Sequence, residues 1–491
     1  MDNNREKKRT IIINSIIFAI YVLFQVFLAF HHEAWRDESQ AWILARNSSF
    51  SEIVGLCASE GHPCLWFFVL KICSLCGLSF YYFSAISIIA MAVSAALFLW
   101  KSPFSLLTKI CVLLSPIFFY YNPVICRIYA LVVLLIVLVC IVWPKRRENT
   151  ILYGFLVALL LQTHILIAGF AVGCLLEMMI HVKEALKKKI NIIGYIIPFA
   201  SLICMILELK QTGETETYLH VNLYSILSRL RIKTLIGSIY SVTRRMDSGL
   251  FPIGILFLLV CLIMVIVFIV SAKKCKQNHK DLRDIGVVFF SAVACYWGII
   301  IFVRSSAHIH MTIILWLLLL FFVWTVLITI KPKYLEILFV ICCLLAIPQS
   351  AIKDPLMDVK GPFSGSLEIA QMVEESVPDE SIIAMHNDML CTSIAAYLYE
   401  SDKQLTIWDI DNGCEFKIHK WGRENNRTIS NENLYEVILE DCGGKENVFF
   451  VDGVESINAE LIPSDGMSLI GKNEEPNKWD EYYRLYKVEM E

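Results

Sequence analysis

The sequence predicts a polytopic α-helical membrane protein that carries a soluble α/β domain at its carboxyl end. Of its 491 residues, 57% are hydrophobic and 18% are charged, whereas soluble globular domains carry about 25% charged residues. The net charge is about +14 over residues 1–350 and about −17 over residues 351–491. This composition excludes a disordered chain, a nucleic-acid-binding module and an ordinary cytosolic enzyme.

The uneven charge predicts two domains. A cationic membrane domain, residues 1–350, suits anionic lipids and positively charged cytoplasmic loops. An acidic domain, residues 351–491, suits a folded extracytoplasmic appendage. Most of the 17 cysteines lie in apolar segments. The Cys73–Cys76 pair has neither a second pair nor a histidine nearby in the sequence, so we interpret these cysteines as small buried side chains.

The first apolar segment predicts the orientation of the chain. Four basic residues among the first nine precede the apolar run 11–30, which is long enough to cross about 30 Å of hydrocarbon. No small-residue cleavage site follows this run, so we expect an uncleaved anchor with a cytoplasmic amino terminus. Residues 31–61 would then lie outside.

The basic loops predict the remaining spans, because all of them should be cytoplasmic. These loops lie at residues 145–147, 183–189 and 273–283. If the short segment 63–78 crossed the bilayer, residues 145–147 would lie outside unless another segment were dropped. The simpler interpretation is that 63–78 lies flat on the outer surface, with Trp66, Phe67 and Leu70 towards the lipid. About eleven transmembrane helices result, at 11–30, 80–100, 103–121, 124–143, 150–161, 165–181, 190–207, 251–271, 284–303, 310–330 and 334–350.

The acidic domain has the pattern of alternating strands and helices. We predict strands at 381–385, 405–410 and 447–451 and a helix at 389–399, separated by turn signals such as Asp452-Gly453. The long segment of about 43 residues after 207 and the whole acidic domain would lie outside the membrane.

Polar residues of the membrane domain gather in the predicted outer loops. Each has a structural interpretation: Asp37 and Glu38 could cap a helix, Arg127 could reach the headgroups, and the histidines could bond neighbouring helices. Their joint occurrence on one side favours a functional site. The candidate residues are Trp35, Asp37, Glu38, His62, Arg127, Tyr129, His164, Arg304 and His308.

These residue types favour chemistry on a phosphate-linked substrate at the membrane surface. A carboxylate can act as the general base for an incoming hydroxyl group, and an arginine can hold a phosphate through two parallel hydrogen bonds. The sequence contains no glycine-rich nucleotide-binding motif. A donor that is itself a membrane lipid would need none.

The sequence resembles the GT-C glycosyltransferases, which include protein O-mannosyltransferases and aminoarabinose transferases. The Asp37-Glu38 pair after the first span resembles their first-loop acidic motif, and His62-Pro63 resembles the His-Pro motif of the O-mannosyltransferase branch. Residues 126–131, Cys-Arg-Ile-Tyr-Ala-Leu, resemble a stretch of bacterial members. The resemblance covers residues 1–350 and extends only loosely to the acidic domain.

The resemblance implies inverting transfer of a sugar from a polyprenyl-phosphate donor to a hydroxyl acceptor on a glycan, lipid or protein. Asp37 would be the base and Glu38 its partner, Arg127 would contact the donor phosphate with Tyr129, His164, Arg304 and His308 near it, and His62 and Trp35 would support them. We expect a multi-pass plasma-membrane protein. The second outer loop lacks a DxD motif, so we expect no cofactor and a metal-independent enzyme.

Two other functions remain open from the sequence. A lipid or small-molecule transporter would place polar residues near the bilayer midplane and would usually show internal repeats. An assembly protein could bind a partner through the acidic domain, although that function would leave Asp37 and Arg127 unexplained.

Overall fold

The chain forms a large helical part followed by a smaller α/β part. The computed structural model describes residues 2–185, 187, 190–210, 251–275, 278–302, 309–332, 334–419, 427, 429–459, 461–462, 466–478 and 480–490. The helices are α1 (Asp2–Ala29), α2 (Arg36–Asn47), α3 (Phe50–Glu60), α4 (Leu65–Leu75), α5 (Ala85–Lys101), α6 (Leu106–Leu113), α7 (Tyr129–Val142), α8 (Thr150–Leu161), α9 (Ile165–Ile180), α10 (Val182–Ala185), α11 (Asn191–Glu208), α12 (Phe251–Lys274), α13 (His279–Phe302), α14 (Ile309–Thr329), α15 (Leu335–Ile347), α16 (Asp354–Lys360), α17 (Ser366–Ser376), α18 (Asp388–Leu398) and α19 (Leu434–Cys442).

Long apolar helices make the helical part that of a membrane protein. Within the described residues, six helices are long and apolar enough to cross a bilayer. On α12 the exposed side chains Leu259, Leu262 and Ile266 recur at helical spacing, as expected for a face turned to lipid. The six helices are Arg5–Ala29, Phe80–Lys101, Asn191–Glu208, Ile255–Lys274, His279–Ile299 and Leu335–Lys360. Several shorter apolar helices accompany them, and these lengths do not establish the predicted total of about eleven.

The predicted span 103–121 is not one continuous helix, which corrects the sequence interpretation. Its only helix is α6, and turns containing Pro116 and Pro123 follow, because proline cannot continue the helical hydrogen-bond ladder. The segment still runs beside α15. Thr108 Oγ1 donates to Glu336 at 2.6 Å near the start of α15, and Ser350 Oγ donates to the carbonyl of Leu114 at 2.9 Å beyond its end.

Helix α4 differs from the prediction in the face that it exposes. Trp66, Phe67 and Leu70 are buried inside the protein, whereas Ile72 and Leu75 are the exposed apolar residues. Lys71 Nζ donates to the carbonyl of Arg46 on α2 at 3.0 Å. The large side chains therefore attach α4 to the helices of the first loop, and its opposite face is the one available to lipid.

Described residues in or beside the three basic loops predicted to be cytoplasmic meet at one end of the bundle. Arg146 Nε donates to Glu177 Oε1 and Arg146 Nη2 to Asp284 Oδ2, both at 2.8 Å. His181 Nε2 lies 2.7 Å from the same Asp284 oxygen. A buried ion cluster of this kind is strongly destabilised when one partner is removed, so it fixes the relative positions of these loops.

The acidic domain contains a six-stranded mixed sheet of order β3-β2-β1-β4-β6-β5. The strands β1, β2 and β4 are parallel to one another, and β6 and β5 continue the sheet in antiparallel pairing. The predictions of β1, β2, β4 and α18 are confirmed, but the turn predicted at Asp452-Gly453 is wrong, because both residues lie within β4. The strands are β1 (Ile382–His386), β2 (Thr406–Asp409), β3 (Cys414–Glu415), β4 (Val448–Val454), β5 (Met467–Lys472) and β6 (Tyr482–Val488).

The two faces of the sheet pack against different partners. Ile383 and Met385 of β1 belong to the large core that includes α17, α18 and the membrane domain, whereas Ala384 between them packs with Ile438 of α19. This alternation follows from the two-residue period of a strand.

The helix that connects the two domains runs through α15 and α16 to Lys360, ten residues beyond the predicted boundary at 350.

Candidate functional site

The first turn of α2 presents the predicted acidic pair. Trp35 precedes the helix, and its backbone N–H lies 3.4 Å from Glu38 Oε2. Carboxylates in this position are favoured by the partial positive charge of a helix amino terminus, so the capping interpretation holds for Glu38. The two carboxylates nevertheless differ, because the Asp37 side chain is 26% exposed and that of Glu38 is fully buried.

Asp37 forms an ion pair with Arg127, 90 positions further along the chain. Arg127 Nη1 donates to Asp37 Oδ2. Arg127 lies two residues before the start of α7, and its side chain is 12% exposed. The two residues given central roles from the sequence therefore meet in a partly buried position, where their attraction is less screened than in water.

Both oxygens of Glu38 are engaged within the protein. Oε1 accepts a hydrogen bond from the backbone N–H of Cys126 at 2.5 Å, and Oε2 lies 2.9 Å from His32 Nε2. These contacts hold the turn before α7 against α2. Glu38 therefore fixes the backbone that carries Arg127.

A chain of buried polar contacts continues from Glu38 into the acidic domain. His32 Nδ1 lies 3.0 Å from Asp358 Oδ2, which also accepts from Tyr120 Oη at 3.0 Å, and Lys478 Nζ donates to Tyr120 Oη at 3.0 Å. Burial opposes protonation of His32, but the carboxylates of Glu38 and Asp358 outweigh it and raise its pKa to about 10. His32 is thus a buried cation that bridges two carboxylates.

Two further carboxyl groups lie where the acidic domain covers the first loop. Ser364 Oγ donates to Glu481 Oε2 at 2.9 Å, and the backbone N–H of Arg36 lies 3.4 Å from Glu481 Oε1. Burial raises the pKa of Glu481 to about 7 despite these contacts. Burial also raises the pKa of Glu33 to about 7, although the nearby His32 acts to lower it. Both groups titrate near neutral pH.

The predicted residues Tyr129, His164 and His62 form a second group beside the ion pair. The backbone N–H of Leu166 donates to His164 Nδ1 at 3.0 Å, so a neutral His164 carries its proton on Nε2, which lies 2.9 Å from Tyr129 Oη. The His62 ring lies 4.3 Å from the His164 ring, centroid to centroid. Tyr129 links the two groups, since it is two residues from Arg127. Arg304 and His308 lie outside the described residues.

One group of described side chains has the spacing of metal ligands: Glu177, His181 and Asp284. It lies at the opposite end of α7 from Arg127. Arg146 binds both carboxylates and Arg147 binds Asp284. These arginines already compensate the negative charge, so the group is a structural ion cluster and not a cation site.

Sequence reasoning missed the residues that join the acidic domain to the site: His32, Asp358, Lys478 and Glu481. Asp354 and Asp358 carried a detectable signal, because two carboxylates four residues apart after an apolar span share one helix face. His32 stands only five residues before Asp37 in the predicted outer loop. The positions of Lys478 and Glu481 had no local signal.

No protein-family model matches the sequence, and a comparison with curated proteins finds no significant match.

Proposed function

We propose that this protein is a membrane glycosyltransferase of the GT-C type that uses a sugar linked to polyprenyl phosphate. The observation that carries the proposal is the ion pair of Asp37 with Arg127. It unites a proton acceptor and a phosphate-binding cation in one partly exposed position. No nucleotide-binding motif competes with a lipid-linked donor as the source of the sugar.

In the proposed reaction the acceptor hydroxyl attacks the anomeric carbon and gives its proton to Asp37. The bond between that carbon and the phosphate oxygen breaks, and its electron pair leaves with the polyprenyl phosphate. Attack from the side opposite the leaving group inverts the anomeric carbon. Arg127 stabilises the charge that develops on the departing phosphate.

The ion pair also suggests the order of events. A phosphate that binds Arg127 competes with Asp37 for the guanidinium group, so donor binding would free the carboxylate to act as a base. Glu38 has both oxygens engaged and is fully buried, so we assign it a positioning role. Tyr129 and His164 would orient groups beside the phosphate.

The test is release of polyprenyl phosphate from a labelled lipid-linked sugar pool by the purified protein. Asp37→Asn retains the size and hydrogen-bonding capacity of the side chain but loses its basicity, and loss of a general base costs on the order of 10²–10⁴ in rate. Asp402→Asn, at an exposed position of the acidic domain, is the matched control and should retain wild-type release. Equal release by Asp37→Asn and Asp402→Asn would refute Asp37 as the base.

Movement of intact lipid without sugar release would favour a transporter instead. With the protein reconstituted in vesicles, the mass of the lipid reports cleavage, and the accessibility of the intact lipid's sugar to a glycosidase added outside the vesicles reports its movement.

A further inference from the structure

A groove of about 330 Å³ lies between α12 and α13 at the end of the bundle opposite Asp37. Its wall is apolar and includes Phe268, Ile269 and Ala272 of α12 and Leu282 of α13. Both helices are candidate membrane spans. An open apolar groove between two such helices is accessible to an acyl chain, which can fill it without displacing protein atoms.

Cationic side chains stand at one end of this groove. Lys273, His279 and Arg283 line it together with the apolar wall. Lys273 and His279 are exposed, and no carboxylate is recorded as their ion-pair partner among the described residues. The positive charge of Arg283 is partly compensated, since its Nη2 donates to Asp284 Oδ1 at 3.0 Å.

The acidic residues of this region are already engaged elsewhere. Asp281 pairs with Arg146 and Arg147, and Asp284 pairs with those two arginines and with His181. The whole stretch 273–283 is basic, because it contains five lysines and arginines against a single aspartate. Basic clusters directly beside a membrane-spanning helix attract anionic lipid headgroups.

Gly286 of α13 opens the groove. A Cβ atom built at this position would come no closer than 3.9 Å to any neighbour, the ring of Phe290. A larger side chain at Gly286 would therefore extend into the groove and not into the backbone of another helix. This position allows the groove to be blocked without disturbing the buried ion cluster.

We propose that the groove binds an anionic phospholipid, with one acyl chain against the apolar wall and its phosphate beside Lys273 and His279. The cationic side chains at the end of the groove attract the anionic headgroup, and the apolar wall of the groove holds its acyl chain. The proposal depends on placement of α12 and α13 in a membrane. It does not depend on sugar transfer, because the groove lies at the other end of the bundle from Asp37.

The test is native mass spectrometry of the purified full-length protein with phosphatidylglycerol and with phosphatidylcholine of identical acyl chains. Wild-type protein should retain phosphatidylglycerol more strongly. Lys273→Gln should weaken its retention about five-fold and leave phosphatidylcholine unchanged. Lys101→Gln, an exposed lysine at the end of α5, is the charge control and should have no effect.

Gly286→Leu tests the shape of the groove, and it should weaken the retention of both lipids. Gly298→Leu on the same helix is its control, because a Cβ there meets no atom within 4 Å and Gly298 does not line the groove. Equal retention of the two lipids by wild-type protein, or equal retention of phosphatidylglycerol by the two leucine variants, would overturn the proposal.

Glycerol phosphate distinguishes a lipid site from a simple phosphate site. It should fail to displace phosphatidylglycerol at equal concentration, because it lacks the acyl chain that fills the groove. Displacement would show that phosphate alone suffices and would overturn the lipid proposal. If Gly286→Leu does not fold, Lys273→Gln and His279→Gln still test the proposal, because they change only exposed side chains.

Discussion

The Glu38 side chain accepts a hydrogen bond from the backbone N–H of Cys126 at 2.5 Å, immediately beside the ion pair of Asp37 with Arg127. Two consecutive residues of α2 thus bind two consecutive residues before α7. The first contact fixes the backbone and the second joins the side chains. Glu38 therefore controls the position of Arg127 without contacting it directly.

Arg127→Lys should lower the rate of sugar release by about 10- to 100-fold while expression remains normal. A guanidinium group forms two parallel bonds to a phosphate, and lysine, a single point charge, loses a charge-assisted bond of about 1.5–3 kcal/mol. Arg46→Lys is the control, because Arg46 donates to the carbonyl of Tyr399 outside the site. If Arg127→Lys released sugar at the wild-type rate, Arg127 would have no role beyond its structural pairing with Asp37.

His32→Gln should destabilise the protein by about 3–5 kcal/mol, because it leaves Glu38 and Asp358 as buried carboxylates without their shared cation. Thermal unfolding in detergent measures the effect. His31→Gln is the control at a neighbouring exposed position. Similar melting temperatures for the two variants would contradict the bridging role of His32.

The pH dependence of His32 has a defined sign. Its pKa is about 10 in the folded protein, above about 6.5 in the unfolded chain. Its contribution is therefore fully present below about pH 6.5 and is lost as the pH rises through 10. Wild-type protein should lose more stability than His32→Gln between pH 8 and pH 10.

Glu481→Gln should stabilise the protein by up to about 4 kcal/mol at pH 8 and by only about 1 kcal/mol at pH 5. The pKa of Glu481 is about 7 in the folded protein and about 4.3 in an unfolded chain. The folded state therefore holds the proton more tightly, and stability falls as the pH rises from about 4.3 to 7. Thermal unfolding at the two pH values measures this difference.

Glu474→Gln, at an exposed position a few residues away, should show no such pH-dependent gain. A Glu481→Gln variant that is less stable than wild type at pH 8 would mean that the ionised carboxylate stabilises the contact with Arg36.

The predicted orientation can be tested with thiol labelling of intact cells. Cys414 is exposed in the acidic domain and should react with an impermeant reagent from outside. A cysteine introduced by Glu184→Cys, beside the ion cluster of Arg146, should react only after the membrane is permeabilised. Site-resolved mass spectrometry separates these sites from the other cysteines. The reverse pattern would invert the topology and place Asp37 on the cytoplasmic side.

The sequence alone predicted a membrane protein and, in the acidic domain, the strands β1, β2 and β4 and the helix α18. Long apolar runs identify membrane-spanning helices because unpaired backbone groups are costly in hydrocarbon, whatever the neighbours are. The alternation of β1 is an equally local signal. The turn predicted at Asp452-Gly453 is wrong, because both residues lie inside β4 and pair with Arg484 and Tyr483 of β6. The resemblance in motifs singled out both Asp37 and Arg127. Composition and spacing did not predict that the two side chains would form an ion pair.

Only the tertiary structure decided which buried polar groups meet. His32 and Asp358 are 326 positions apart, and their contact depends on how the acidic domain packs on the first loop. The irregular segment 103–121 likewise follows from its packing beside α15. Hydropathy reports how much apolar surface a segment must bury, whereas the partner of a buried charge is set by three-dimensional packing. The sequence therefore predicted that the chain carries long apolar membrane helices, and the fold selected the residues that bridge the helical part to the acidic domain.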